Sequence, residues 1–393
     1  MSQLCLYLPP FASDYSGVCS ALFDLNGMVV IHDASCCSRN YTGYDEPRWF
    51  GNRRPIFCSR LRETDAILGR DDKLIRKIIN AYNSLEDKPE FIAIIGSPVP
   101  ALIGVDIEGI CDEIKAELDV PAVSFSTTGY SYYHRGVSAA HLKIVKMFAE
   151  TRAKAPDGRI RVNVLGLTPL DFSDNENASD ICAMLEHAGL AVNCSFFMNT
   201  SFERIKHAGN ASVNLVVAQC GMDLAEYMFK EYHIPYVAGT PIGQDGSGII
   251  SALNASAEDG KNRVLGNIGN GGNDVLIIGD LVYANSVRAY LNDKYGVSST
   301  VATFFENDRR LMQEYDIWLK EEKSLCSLLS LGKFKILIAD PVIASVPEAG
   351  GMKIIPVAHV AVSSRLYWHN YPRYMSQEFE LALSEAKSGS NDR

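Results

Sequence analysis

FIAIIGSPVPALIGVDIEGICDEIKAELDVPAVSF, residues 91–125, decides the fold. Its first six residues form an apolar run that stops at Gly96, the length and ending of a buried strand. After the loop SPVPALIG, Ile107, Ile110, Ile114 and Leu118 recur at helical spacing, and PAVSF (121–125) reads as the next strand. Strand, helix and strand in this order predict a parallel pair, because parallel strands need a crossover and the crossover is usually a helix.

Outward from this unit the pattern repeats. IRVNVLGL (160–167) is followed by ASDICAMLEHAG, with Gly189 as a helix stop, and by LAVNCSFF. VNLVVAQ (213–219), the helix DLAEYMFKEY and the strand IPYVAG continue it. A third unit runs from DVLIIGD (274–280) through ANSVRAYLNDKYG and SSTVATFFE to KILIAD (335–340), read as the final strand. The spacing predicts an α/β chain of three doubly wound, Rossmann-like domains with parallel sheets around a central cleft. The expected domains are 1–157, 158–265 and 266–393. Their joints fall at APDGR (155–159) and between 243 and 273, where Gly, Asn and Ser accumulate. In open α/β sheets ligands bind beyond the carboxyl ends of the strands, so the cleft is the place to look for function.

Hydrophobic residues make up 47% of the 393 and charged ones 21%, enough apolar surface for several cores and too much for a disordered chain. The net charge of −10 is diffuse, without the basic patches and Arg-aromatic interleaving that bind a phosphate backbone, so nucleic acid is excluded as a partner. MSQLCLYLPPFASDY lacks the basic flank and long apolar run of a secretory signal. Runs such as VLIIG (275–279) fall far short of the ~20 residues needed to cross a bilayer, so no membrane association is expected. A cytoplasmic protein keeps its cysteines reduced, as thiolate ligands or buried small hydrophobes. Five of the ten lie in the first 58 residues: Cys5, Cys19, Cys36, Cys37 and Cys58. The last four sit among turn-prone residues, in SGVCSA, DASCCSRN and IFCSR, as loops closing around a metal cluster require. Their spacing is wide, with no CxxC pair, and by itself it suits buried cysteines as well as ligands. Neither Gly-rich stretch, 243–248 or 266–272, contains GxxxxGK followed by Ser or Thr, so ATP hydrolysis by this chain is not expected.

GVCSALFDLNGMVVIHDASCC resembles the N-terminal region of nitrogenase component 1 subunits. There a cysteine is followed by a helix, a short apolar strand and a His-led turn ending in a second cysteine. Cys19 matches the first ligand; His32 opens the turn; Cys37, with Cys36 beside it, matches the second. FCSRLRETDAILGRDDKL (57–74) resembles the family's acidic segment, with Glu63, Asp65, Gly69, Lys73 and Leu74 in order. SPVPALIGVDIEGI (97–110) is similar to its third cysteine loop, and NLVVAQCGMDLAEYMFKEYHIPYVAGTPIG (214–243) to its middle domain. The matches span most of the chain.

The resemblance implies a [4Fe–4S] cluster held by Cys19, Cys37, and Cys36 or Cys58, with ligands shared across a subunit interface. The third loop's cysteine position falls on Ser97, which argues against the larger cluster of nitrogenase proper. The cysteine that anchors nitrogenase's active-site cofactor falls on Ala218, with Cys220 two residues later, and His359 and His369 are the C-terminal histidines. Cys220 is thus the candidate ligand for a second metallocluster or a tetrapyrrole, and dinitrogen reduction is not implied. Arg39 and Tyr41, with Tyr44, Asp45, Arg48 and Trp49, would tune the cluster or line a substrate cleft, or else form a surface loop at a subunit contact. By this resemblance the chain is the iron–sulfur catalytic component of a nitrogenase-like two-component reductase, an oxidoreductase with an unspecified substrate. It would take low-potential electrons from an ATP-dependent iron–sulfur reductase similar to the nitrogenase iron protein, and pair with a like subunit as homodimer or heterodimer. The alternatives are a scaffold for metallocluster or cofactor assembly, and a non-redox protein that binds a tetrapyrrole or other metal chelate.

Overall fold

The computed structural model describes residues 5–34, 37–150, 158–266, 271–272 and 274–389, the side chains of 37, 38, 388 and 389 excepted. Among them are three all-parallel sheets. The first holds β1 (Gly27–His32), β2 (Ile56–Cys58), β3 (Phe91–Gly96) and β4 (Ala122–Phe125) in the order β2-β1-β3-β4. The second holds β5 (Arg161–Leu165), β6 (Ala191–Ser195), β7 (Val213–Val216), β8 (Tyr236–Ala238) and β9 (Arg263–Val264), ordered β6-β5-β7-β8-β9. The third holds β10 (Val275–Ile278), β11 (Ser299–Thr303), β12 (Ile317–Trp318), β13 (Ile336–Ala339) and β14 (Lys353–Pro356), ordered β12-β11-β10-β13-β14. Each order reverses once, between β1 and β3, β5 and β7, and β10 and β13, which opens a crevice at the carboxyl ends of those strands.

The strands form where the chain is apolar on both faces. All six residues of β3 are buried, and its neighbours divide two cores between them. Met28, Val30, Ile92 and Ile94 face the outer helices Asp71–Ser84 and Ile107–Leu118, whose Leu74, Ile75, Ile78, Ile110 and Ile114 cover them. Each such side chain contributes about 1.5–3 kcal/mol by leaving water. Val29, Ile31, Ala93 and Ile95 point the other way, into a core continuous with the second and third sheets.

At that junction the helix Asp14–Leu22 crosses the helix Tyr133–Phe148 backbone to backbone. A Cβ on Gly17 would lie 2.1 Å from the Tyr133 carbonyl oxygen, and one on Gly136 1.8 Å from that of Asp14. No larger residue fits at either position.

The structure corrects two expectations. KILIAD is not the final strand: β14 pairs outside it, and as an edge strand of mixed character, Lys-Ile-Ile-Pro, it has no apolar run to announce it. The stretch 243–273 is not simply a joint, since it contains the helix Ser247–Asp259, buried through Ile249 and Leu253, and β9. Most of APDGR and residues 267–270 and 273 lie outside the described residues. No described helix is long and apolar enough to cross a membrane.

Candidate functional site

β1, β2 and β3 end at His32, Cys58 and Gly96, so Cys58 and Ser97 share one carboxyl edge, the edge from which the chain leaves β1 towards Cys37. Cys36 and the Cys37 side chain lie outside the described residues; the backbone resumes as the short helix Cys37–Asn40. Cys58 is half-buried opposite Ile31. Ser97 is fully buried, and its hydroxyl donates to the Asp33 carboxylate.

Cys19 lies elsewhere, on the helix Asp14–Leu22, with no exposure. Burial pushes its thiol well above the ordinary value, and the carboxylates of Glu46 and Asp45 add to the shift. Glu46 is itself fully buried. It accepts from the Tyr41 hydroxyl at 2.9 Å, the Ser20 hydroxyl at 3.0 Å and Arg48 Nε at 2.7 Å. Arg48 also donates to the Ser20 and Phe197 carbonyls, pairs with Asp24 at 3.2 Å and lies over the Phe23 ring. Tyr41 is therefore a buried member of this network, whereas Arg39 is exposed.

An iron–sulfur cluster needs several thiolates converging on it. Among the described residues no three His, Cys, Asp or Glu side chains converge as a metal site. Cys19 is enclosed by groups that oppose its thiolate form, and the Tyr41–Glu46 pair occupies its surroundings. The described donors do not by themselves fit a cluster.

A second constellation lies where the carboxyl ends of the second and third sheets meet. Asp171 gathers residues from three regions of the chain: its Oδ1 accepts from the Tyr133 hydroxyl and lies 3.1 Å from His359 Nε2. Its Oδ2 accepts from Thr168 at 3.0 Å and is 3.8 Å from the Cys220 sulfur. Asp280, just beyond β10, accepts from the backbone N–H groups of Gln219 at 2.8 Å, Val282 at 2.9 Å and Tyr283 at 3.2 Å. Burial, with the nearby Asp171 charge, pushes its pKa up to about 7. Asp340, just beyond β13, accepts from the backbone N–H groups of Val342 and His359 and is also pushed upward by burial.

These three carboxylates and His359 line a cavity roofed by Phe11, Phe304 and Phe305. Its free volume is about 30 Å³, room for roughly two waters, so in this conformation it excludes a tetrapyrrole. Cys220 stands behind Asp171, fully buried, its thiol pushed well up by burial and by Asp171 and Asp280. His369 is exposed on the surface and takes no part.

The sequence reading named Cys220 and His359, which Asp171 brings together, and missed Asp171, Asp280, Asp340 and Tyr133. A signal existed for two of them: Asp280 and Asp340 each close an apolar strand, in VLIIGD and ILIAD, where α/β sheets place their ligands.

Comparison with known proteins gives this architecture a family. Residues 13–252 match the family described as nitrogenase component 1 type oxidoreductase. The nitrogenase molybdenum-iron protein alpha chain of Clostridium pasteurianum is 27% identical over 197 residues, 49% of this chain and 35% of that one. A subunit of the light-independent protochlorophyllide reductase of Crocosphaera subtropica is 23% identical over 198 residues, 48% of this chain and 38% of that one. The nitrogenase iron-molybdenum cofactor biosynthesis protein NifE of Nostoc sp. is 23% identical over 194 residues, again 48% and 38%. The matched segment thus spans little more than a third of each of these relatives. The solved structure of nitrogenase Cp1 at pH 5 superimposes with a TM-score of 0.69 at 18% identity, covering 99% of this chain and 90% of that one, so the fold is shared throughout. The chain belongs to the nitrogenase component 1 type oxidoreductase family.

Proposed function

We propose that this chain is the catalytic component of a nitrogenase-like two-component reductase, to which an ATP-dependent iron–sulfur protein delivers low-potential electrons, and that reduction takes place at the central cavity. The observation that carries this reading is the convergence of Tyr133, Asp171 and His359, from three regions of the chain, on one carboxylate beside an enclosed space. Each electron added to a substrate in a dry site calls for a proton, and a site closed to water must hold its own acids. Asp280, pushed to about 7, is divided between acid and carboxylate at neutral pH and serves as the proton store. Tyr133 and His359 meet on Asp171 Oδ1 at the same cavity and add a phenol and an imidazole to its acids. Phe11, Phe304 and Phe305 make the rest of the lining apolar. In this reading Cys19, Cys36, Cys37 and Cys58 supply iron–sulfur donors only once a like subunit closes over the cysteine edge, and Cys220 fixes the position of Asp171.

A second reading, a cluster-free protein that binds a small metal chelate, draws its support from the poor fit of the Cys19 surroundings to a thiolate. Iron and acid-labile sulfide in anaerobically purified protein, with EPR after dithionite reduction, separate the two. The reductase reading expects about four of each per chain or dimer, lost in Cys19→Ala and Cys37→Ala variants. No iron after anaerobic reconstitution leaves the chelate-binding protein.

A further inference from the structure

In the cavity lined by Asp171, Asp280 and Asp340, Phe11 differs from the other two phenylalanines in how it is held. Phe304 and Phe305 continue directly from β11, and both are buried. Phe11 is half-buried and belongs to a segment, residues 6–12, that runs over the surface without helix or strand and leaves Leu6, Tyr7, Pro9 and Pro10 exposed.

Two attachments hold this segment. At one end the carboxylate of Glu322, at the start of the helix Glu322–Leu329 between β12 and β13, accepts from three successive backbone N–H groups. They belong to Leu6 at 2.8 Å, Tyr7 at 2.9 Å and Leu8 at 2.7 Å, and the Leu8 side chain is sunk in the core. At the other end Ala12 donates to the Ala361 carbonyl at 2.7 Å and accepts from the Tyr133 N–H at 2.9 Å. Between them stand Pro9 and Pro10, which have no N–H to donate and whose rings fix φ, so this stretch transmits a movement rather than absorbing it. Phe11 follows, its ring 5.4 Å from that of Phe304, 5.8 Å from Tyr132 and 6.3 Å from Phe305.

A single side chain therefore governs one end of the segment. Hydrogen bonds to a carboxylate are about twice as strong as neutral ones, enough to hold an irregular stretch in place. Leu6 and Tyr7 lie at the surface, 78% and 47% exposed, so water replaces the carboxylate as their partner when the segment lifts. Lifting it about Ala12 carries Phe11 away from the cavity. We propose that residues 6–12 form a strap over the acid cavity, latched by Glu322 and hinged at Ala12, and that its release withdraws Phe11 and widens the cavity for a ligand larger than the roughly two waters it admits in this conformation. The strap belongs to the cavity itself and does not depend on the reductase reading.

A thiol placed in the lining reads the opening. In the full chain, Val362→Cys replaces one lining residue with another of similar volume, and its labelling by iodoacetamide in anaerobic buffer is followed by peptide mass spectrometry. Cys194, fully buried on β6, is the internal control for loosening of the whole molecule. Adding Glu322→Ala should speed labelling of the introduced thiol by about tenfold or more. Glu322→Gln, which keeps a neutral acceptor, should speed it by less. In both, hydrogen exchange at the amides of Leu6, Tyr7 and Leu8 should rise, and Cys194 should label as before. Phe11→Ala, with Glu322 intact, should speed labelling while those amides stay protected. Faster amide exchange without faster labelling, unchanged amide exchange, or a rise in labelling that Cys194 shares overturns the proposal.

Discussion

The cysteine edge and the acid cavity are opposite kinds of site. The first is conspicuous in sequence, because cysteines are rare and five fall within 58 residues, yet Cys19 is sealed behind Tyr41, Glu46 and Arg48. The second is inconspicuous, because three aspartates among many attract no notice, yet topology delivers them to one enclosed space. Rare residues stand out in a sequence whether or not they form a site, whereas a site made of common ones is recognised mainly by where the fold brings them together.

The comparison breaks most readily at Asp171. Asp171→Ala leaves the Tyr133 hydroxyl and His359 without their shared acceptor in a dry site, and should cost about 4 kcal/mol in denaturant unfolding. A loss below about 1 kcal/mol would show that the acids are ordinary core polar groups with replaceable partners. Arg48→Met tests the sealed side: it strands buried Glu46, and about 3 kcal/mol should be lost, most of it recovered when Glu46→Gln is added. If the pair of substitutions costs as much as the single one, the network is held by something other than this ion pair.

Acid titration compares the two regions directly. Burial pushes Asp45, bonded to Ser16 at 2.7 Å, to about 6, against about 3.9 in an unfolded chain. The folded state thus holds a proton that the unfolded state has released, so this group's contribution to stability is fully present below about pH 4, is lost as pH rises to about 6, and is level above that. Asp45→Asn, a mimic of the acid, should be about 3 kcal/mol more stable than the parent at pH 7 and equal to it near pH 4. Melting curves at the two pH values read the difference directly. The smallest effect is spectroscopic: an infrared carboxylic acid band should titrate with an apparent midpoint of about 7 and be absent in Asp280→Asn. A midpoint near that of an ordinary aspartic acid would remove the proton store from the proposed reaction.

The sheets were legible because parallel strands covered on both faces read as unbroken apolar runs; FIAIIG, VLIIG and KILIAD are found on sight. Edge strands escape the same reading. Lys353–Pro356 mixes charge and proline because one of its sides faces solvent, and Arg263–Val264 and Ile317–Trp318 are two residues long. The helix Ser247–Asp259 was hidden by the glycines at its start and the serines and asparagine along it, which read locally as loop. Of the acid site, Cys220 and His359 stood out as the cysteine nearest the cofactor-anchoring position and as one of two late histidines. Their meeting on Asp171 depends on two crossovers that no local pattern encodes.

The glycine crossing of Asp14–Leu22 with Tyr133–Phe148 joins these regions mechanically. One helix carries Cys19 and the other begins with Tyr133, and at Gly17 and Gly136 the two are in backbone contact without side chains between them. Such a joint has almost no play, so the helix that carries Cys19 and the helix that begins with the phenol on Asp171 behave as one rigid strut through the middle of the molecule.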